Sequence, residues 1–187
     1  LTPYMIEAGL LKESGTPIAD IDHAATNFGM PMGPIELVDT VGLDVGLHVA
    51  ELLSSKYGYD VPVLFKTMVE SGILGKKTGK GFYVWKNGKK IMPKVKGLAN
   101  NNKTIQNRLI LRFINEAIAC YREKIVDNKD LLDAGIIFGT GFAPFRGGPI
   151  RYVETVGTAP LLDALNALHE QLGDRFRPDT SWQEFST

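Results

Sequence analysis

Apolar residues recur along most of this chain at the three-to-four-residue interval of an amphipathic helix. Tyr4, Met5, Ala8, Leu10 and Leu11 predict a helix over Pro3 to Glu13, closed by Ser14-Gly15. Ile18, Ile21, Ala25 and Phe28 predict a second, with Thr16 as its cap, Pro17 in its first position and Asp20 in its first turn. After a short Met/Pro loop, Gly33-Pro34 starts a third; Glu36 complements its dipole and Gly42 ends it. Leu43, Leu47, Ala50, Leu52 and Leu53 make a fourth, closed by Tyr57-Gly58. Asp60 is the expected cap of a fifth, running through Val61, Val63, Leu64, Met68 and Val69 to Ser71-Gly72. The helical period then stops. Phe82-Tyr83-Val84-Trp85, Asn87-Gly88 and Lys89-Lys90-Ile91-Met92 read as a small hairpin on a type I′ turn.

Helical spacing returns at Thr104 to Glu123, with a broad stripe of Leu109, Ile110, Phe113, Ile114, Ala117, Ile118 and Tyr121. Asp127, with Asp130 three residues on, is the expected cap of a helix carrying Leu131, Leu132, Ala134, Ile136, Ile137 and Phe138. Thr158, with Pro160 just inside, starts a last helix through Leu161, Leu162, Leu165, Leu168 and Leu172. Arg175 to Thr187 reads as a surface tail with one anchor, Trp182. Strand signal is confined to the hairpin, so the expected fold is all-α.

The chain also repeats itself. Gly33-Pro34-Ile35 returns as Gly148-Pro149-Ile150, and Asp39-Thr40-Val41-Gly42 as Glu154-Thr155-Val156-Gly157, both at an offset of 115 residues. Pro93 to Lys103, with Asn100-Asn101-Asn102, is the best linker candidate. The expected division is therefore 1–96 and 97–187. Repeats of this size fall near the lower end of self-sufficient domains, so the two are expected to pack on each other.

Composition removes several function classes. Lys and Arg number 21, as do Asp and Glu, so no global field favours nucleic acid or an anionic membrane. No apolar run approaches the ~20 residues that span a bilayer, so no transmembrane segment is expected. The expected setting is cytoplasmic. The chain opens on Leu1-Thr2-Pro3 without an initiator Met, as though cut from something longer. The single cysteine, Cys120, excludes an internal disulfide and sits in an apolar helical run, as a small buried hydrophobe does.

Candidate chemistry is sparse. His23, His48 and His169 lie far apart and none has a second metal-type ligand at helical spacing. The scattered histidines leave no metal site to expect, and no Gly-x-Gly-x-x-Gly follows a strand, so no nucleotide site is expected either. Gly75-Lys76-Lys77-Thr78-Gly79-Lys80-Gly81 is too glycine-rich for a helix; Lys76, Lys77 and Lys80 could wrap a phosphate, or the loop is a solvated turn closing the first repeat. Met30-Pro31-Met32 suits a surface that meets an acyl chain or a partner, or else is ordinary core under a tight loop.

Two motifs in order, Gly29-Met30-Pro31-Met32-Gly33-Pro34 through Val41-Gly42-Leu43-Asp44 and then Gly75-Lys76-Lys77-Thr78-Gly79-Lys80-Gly81-Phe82-Tyr83, resemble the C-terminal domain of L-3-hydroxyacyl-CoA dehydrogenases. The likeness runs from Leu1 to about Leu172, and its tandem form resembles the multifunctional fatty-acid oxidation alpha subunit. That resemblance implies a C-terminal piece of such a subunit, beside a Rossmann domain holding NAD and the catalytic groups, an enoyl-CoA hydratase/isomerase domain and a thiolase beta subunit. It implies no catalytic residue and no cofactor here, a fragment inactive alone, an acyl-CoA-facing surface at Met30, Pro31, Met32, Gly33 and Pro34, and a CoA-phosphate contact at Lys76, Lys77 and Lys80. Asn107-Arg108 matches the family's active-site pair but belongs to the second copy, which has no Rossmann partner of its own, and reads as a relic or a helix cap. The second copy is expected to stand in for the dimer mate of a single-copy enzyme. The alternative is a pure assembly module that docks the other domains and the thiolase; a free-standing helical-repeat adaptor is weaker, since it needs more than two copies.

Overall fold

The computed structural model describes residues 1–58, 60–92 and 102–185. These fall into two compact units: Leu1–Thr26 with Met32–Gln106, and Asn27–Pro31 with Asn107–Thr187. The boundary thus falls ten residues beyond the expected 96/97 division, and five residues of the first copy group with the second unit. The first shift has a local cause: α6 (Asn102–Arg122) starts in the first unit, where Gln106 Nε2 donates to the Ala24 carbonyl at 3.2 Å. Most of the expected linker lies outside the described residues.

In the first unit, α1 (Thr2–Glu13), α2 (Ile18–Phe28), α3 (Pro34–Val41), α4 (Leu43–Tyr57) and α5 (Val63–Glu70) follow the predicted order. α1 packs on α3, α4 and α5, and its Tyr4, Ala8 and Leu11 join Ile21, Ile35, Leu43 and Phe65 in the core. Two predicted caps are corrected. α2 begins at Ile18 because the Pro17 carbonyl accepts from Asp20 and Ile21, which leaves Thr16 outside the helix. α5 starts after Pro62, not Asp60, and its Leu64 N–H is met by the carboxylate of Glu13, 51 positions away, at 2.6 Å. The hairpin pairs β1 (Val84–Lys86) with β2 (Lys89–Ile91), and Asn87 and Gly88 hold the left-handed conformations a type I′ turn requires. It is shorter than the sequence suggests, since the N–H groups of Phe82 and Tyr83 go to a side chain instead of a neighbouring strand.

The second unit contains most of α6, then α7 (Lys129–Thr140), α8 (Pro149–Val156) and α9 (Thr158–Leu172). Asn128, not Asp127, caps α7, its Oδ1 accepting from Leu131 N–H at 2.8 Å. Thr158 does not cap α9; its hydroxyl donates to the Phe185 carbonyl at 2.5 Å. That bond belongs to the largest departure from expectation. Residues 174–185 are not a surface tail: Phe176, Trp182 and Phe185 are all buried. Asn115 of α6 organises them, its Oδ1 accepting from Trp182 Nε1 at 2.7 Å and Asp179 N–H at 2.9 Å while its Nδ2 donates to the Arg177 carbonyl. Phe28, at the end of α2, lies in this unit with its ring edge-on to Phe142 and Tyr152.

Candidate functional site

Both copies of the Gly-Pro-Ile motif are built the same way. Pro34 and Pro149 open short helices, and a helix that starts on proline still presents the N–H groups of its next residues without partners. In the first unit the Asp22 carboxylate accepts from Ile35 N–H at 2.8 Å and Glu36 N–H at 3.1 Å. In the second, Asp133 accepts from Ile150 N–H at 2.8 Å and Arg151 N–H at 2.9 Å. A carboxylate at that place also complements the helix dipole. The approach is close enough to require glycine: a Cβ on Gly33 would lie 2.2 Å from Asp22 Cγ, and one on Gly148 2.4 Å from Asp133 Cγ. Sequence reading singled out neither aspartate. Aligning the two copies was the available signal, blunted because Asp22 precedes its glycine by 11 residues and Asp133 by 15.

The first unit adds a second carboxylate. Asp39, fully buried, accepts from Phe82 N–H at 2.8 Å, Tyr83 N–H at 2.9 Å and Trp85 Nε1 at 2.9 Å. Tyr83 in turn donates its hydroxyl to Asp22 at 2.8 Å, and Lys90 pairs with Glu36. The segment from Gly75 to Trp85 is therefore anchored on α3 by side chains that α2 and α3 supply. Burial raises the carboxyl of Asp39 above its ordinary range and pushes Asp22 up to about 6, against the opposing pull of the Tyr83 hydroxyl and the Ile35 N–H. Burial, and then the Asp22 charge, push the Tyr83 hydroxyl up as well. Asp133 is raised by burial in the same sense.

The predicted lysines sit on this anchored segment, in a single 3-10 turn at Lys76–Thr78 and just after it. Lys77 Nζ pairs with Asp44 at 2.5 Å, Lys76 Nζ stands 5.3 Å over the Trp85 ring, and Lys80 is exposed. The loop's own N–H groups bond internally, Gly75 to Lys80, Thr78 to Gly75, Gly79 to Lys76 and Gly81 to Tyr83. Those four N–H groups are therefore not available to a phosphate. Of the predicted Met loop, Met30 is 5% exposed within the second unit, Pro31 is exposed, Met32 is half-buried, and Gly33 and Pro34 are buried against the Asp22 device.

The remaining candidates do not assemble into a site. His23 and His48 are exposed and His169 pairs with Asp174 at 3.1 Å; no group of three metal-type ligands occurs among the described residues. Cys120 is half-buried, with its thiol pushed up by burial, and Asn107 and Arg108 are half-buried on α6. At the starts of α3 and α8 the N–H groups that could otherwise meet an anion are taken by the Asp22 and Asp133 carboxylates. No described helix is long and apolar enough to cross a membrane.

A family model for the C-terminal domain of 3-hydroxyacyl-CoA dehydrogenase matches the chain in two segments, residues 1–85 and 105–186, one on each copy of the repeat. The chain belongs to this family. Among relatives, the fatty acid oxidation complex subunit alpha of Vibrio cholerae serotype O1 is 38% identical over 192 residues, covering 95% of this chain and 27% of the relative. The chain thus spans about a quarter of the curated relatives it matches. Among solved structures, 3-hydroxybutyryl-CoA dehydrogenase from Escherichia coli K12 covers 97% of this chain and 57% of its own at a TM-score of 0.78 and 18% identity. The dehydrogenase part of multifunctional enzyme 1 from Caenorhabditis elegans covers 98% of this chain and 46% of its own, with a TM-score of 0.69 and 23% identity. At those identities the likeness is one of fold. The 3-hydroxyacyl-CoA dehydrogenase C-terminal fold is the one the sequence implied, helical with a single small hairpin among the described residues.

Proposed function

We propose that this chain serves a 3-hydroxyacyl-CoA dehydrogenase of the fatty acid oxidation alpha subunit kind as its acyl-CoA-covering part, contributing surface and no catalytic group. NAD and the proton-accepting residue belong, on this reading, to a Rossmann domain elsewhere in the enzyme. The supporting observation is the first unit's anchored segment. Two buried carboxylates fix Gly75–Trp85 on α3, which keeps Lys76, Lys77 and Lys80 on a rigid rim, and rigid rims hold ligands without an ordering cost. Met32 and Pro31 are the motif residues left accessible for an acyl chain, while the burial of Met30 suits packing. The test is an NADH-absorbance assay of this chain with 3-hydroxybutyryl-CoA and NAD, beside a Met32→Ala variant of the whole enzyme. No turnover by the chain, with a raised KM in the variant, is the expected result. Turnover by the chain alone overturns the reading and reopens Asn107.

One observation favours assembly as a second role. Leu131 and Phe138, seven residues apart on α7, share a face and are exposed, Phe138 to 89%. A Phe138→Ser change that releases this chain from the other domains while leaving KM unchanged would assign α7 to docking.

A further inference from the structure

The second unit carries a groove of about 340 Å³ along α8, lined by Phe145, Arg146, Arg151, Tyr152, Thr155 and Val156 together with Gly147. Its lining includes two arginines and no acidic residue, Glu154 meeting Arg151 from beside it. Arg146 is held in place: its Nε donates to the Phe28 carbonyl at 2.8 Å, and its guanidinium carbon lies 4.2 Å from the Phe28 ring centre, 5.1 Å from Phe145 and 5.2 Å from Tyr152. The edge formed by its two terminal nitrogens has no hydrogen-bond acceptor among the described residues. A planar cation immobilised by rings, with one edge open, is suited to paired hydrogen bonds with a phosphate or carboxylate. Arg151, which lines the same groove, has a largely exposed side chain and pairs through Nη1 with Glu154 at 3.3 Å. The helix start itself is closed to an anion, because Asp133 holds its N–H groups.

Comparison of the copies shows what changed. At the offset of 115 residues, Thr155 and Val156 repeat Thr40 and Val41, whereas Arg151 stands for Glu36 and Tyr152 for Leu37. The floor is kept, the charge is reversed and aromatic surface is gained. At the groove's mouth Phe145 is 75% exposed, a large ring in water with one side on a cation. We propose that this groove binds a phosphomonoester carried on a planar aromatic base, the chemistry of a nucleoside monophosphate, with the phosphate on Arg146 and Arg151 and the base against Phe145. The proposal goes beyond the acyl-CoA-covering role and does not depend on it.

The test is isothermal titration of this chain with AMP beside adenosine, inorganic phosphate and decanoate, at low and high salt. AMP is expected to bind, with adenosine and inorganic phosphate each weaker by about tenfold or more, and its affinity is expected to fall with salt. Phe145→Ala and Arg151→Gln change exposed side chains, and each is expected to weaken AMP by about fivefold or more with an unchanged thermal melt. Absence of AMP binding overturns the proposal. So does AMP binding no tighter than inorganic phosphate, decanoate binding that excludes AMP, or AMP binding that neither substitution weakens. None of these readouts involves dehydrogenase turnover, so failure here leaves the proposed function standing, and failure of the assay above leaves the groove standing.

Discussion

The two copies share one helix start and differ in what is built upon it. In each, an aspartate from the preceding helix meets the N–H groups behind a Gly-Pro pair. The first copy extends that point inward, through Tyr83 and Asp39, into a buried polar network that fixes a loop and a hairpin. The second copy has Glu154 where the first has Asp39, and Glu154 pairs with Lys129 and Arg151 at the surface. Its extra material is apolar instead, the Phe28, Phe142 and Tyr152 rings and the Trp182 segment. The lesson concerns how copies diverge. A repeated backbone device survives because its donors must be met, while the side of the helix it leaves free can turn polar or aromatic.

The largest expected effect follows from that contrast. Asp39→Ala would strand three donors, two of them buried, and is expected to cost about 3–5 kcal/mol. Glu154→Ala, at the equivalent position, is expected to cost less than about 1 kcal/mol. Urea unfolding of the two variants checks the difference, and equal costs would dissolve the comparison. Next comes pH. Asp22 titrates at about 6 in the fold against 3.8 for an ordinary aspartate, so between those values the folded state holds a proton that the unfolded chain has released. Asp22's contribution is therefore most favourable below about pH 4 and declines as pH rises through about 6. Asp22→Asn should remove that slope from a series of melts, and Asp133→Asn should remove a smaller one of the same sign. The smallest effect separates the two glycines. Gly148 sits at φ 106° whereas Gly33 sits at φ −69°, so beyond the shared clash with aspartate, Gly148→Ala should cost about 1–2 kcal/mol more.

How much of this was legible depended on sequence distance. The hairpin turn could be read because Asn87-Gly88 carries its own conformational demand. The helices could be read because their apolar faces repeat within a few residues. The caps at Asp60, Asp127 and Thr158 were misread, since a local rule cannot see Glu13 reaching Leu64 or Phe185 taking up the Thr158 hydroxyl. The last segment was misread for a related reason: Phe176, Trp182 and Phe185 are too unevenly spaced for any periodic face, and only Asn115 on a distant helix gives them a common anchor. For the candidate site, Met30-Pro31-Met32 was visible as unusual chemistry, but the different exposures of its two methionines depend on a chain path that composition does not encode. For Asp22 and Asp39, nothing in the neighbouring sequence marks the carboxylate as buried.

The place of Phe28 bears on how the chain is made. A ribosome releases it about 120 residues before Phe142 and Tyr152, the rings it will rest against, have emerged. At typical synthesis speeds that interval lasts roughly 6–25 seconds. Throughout it, Phe28 lacks the two rings it packs against in the completed fold. The second unit cannot close its core from its own contiguous residues, so its completion is timed by translation as well as by the folding of its helices.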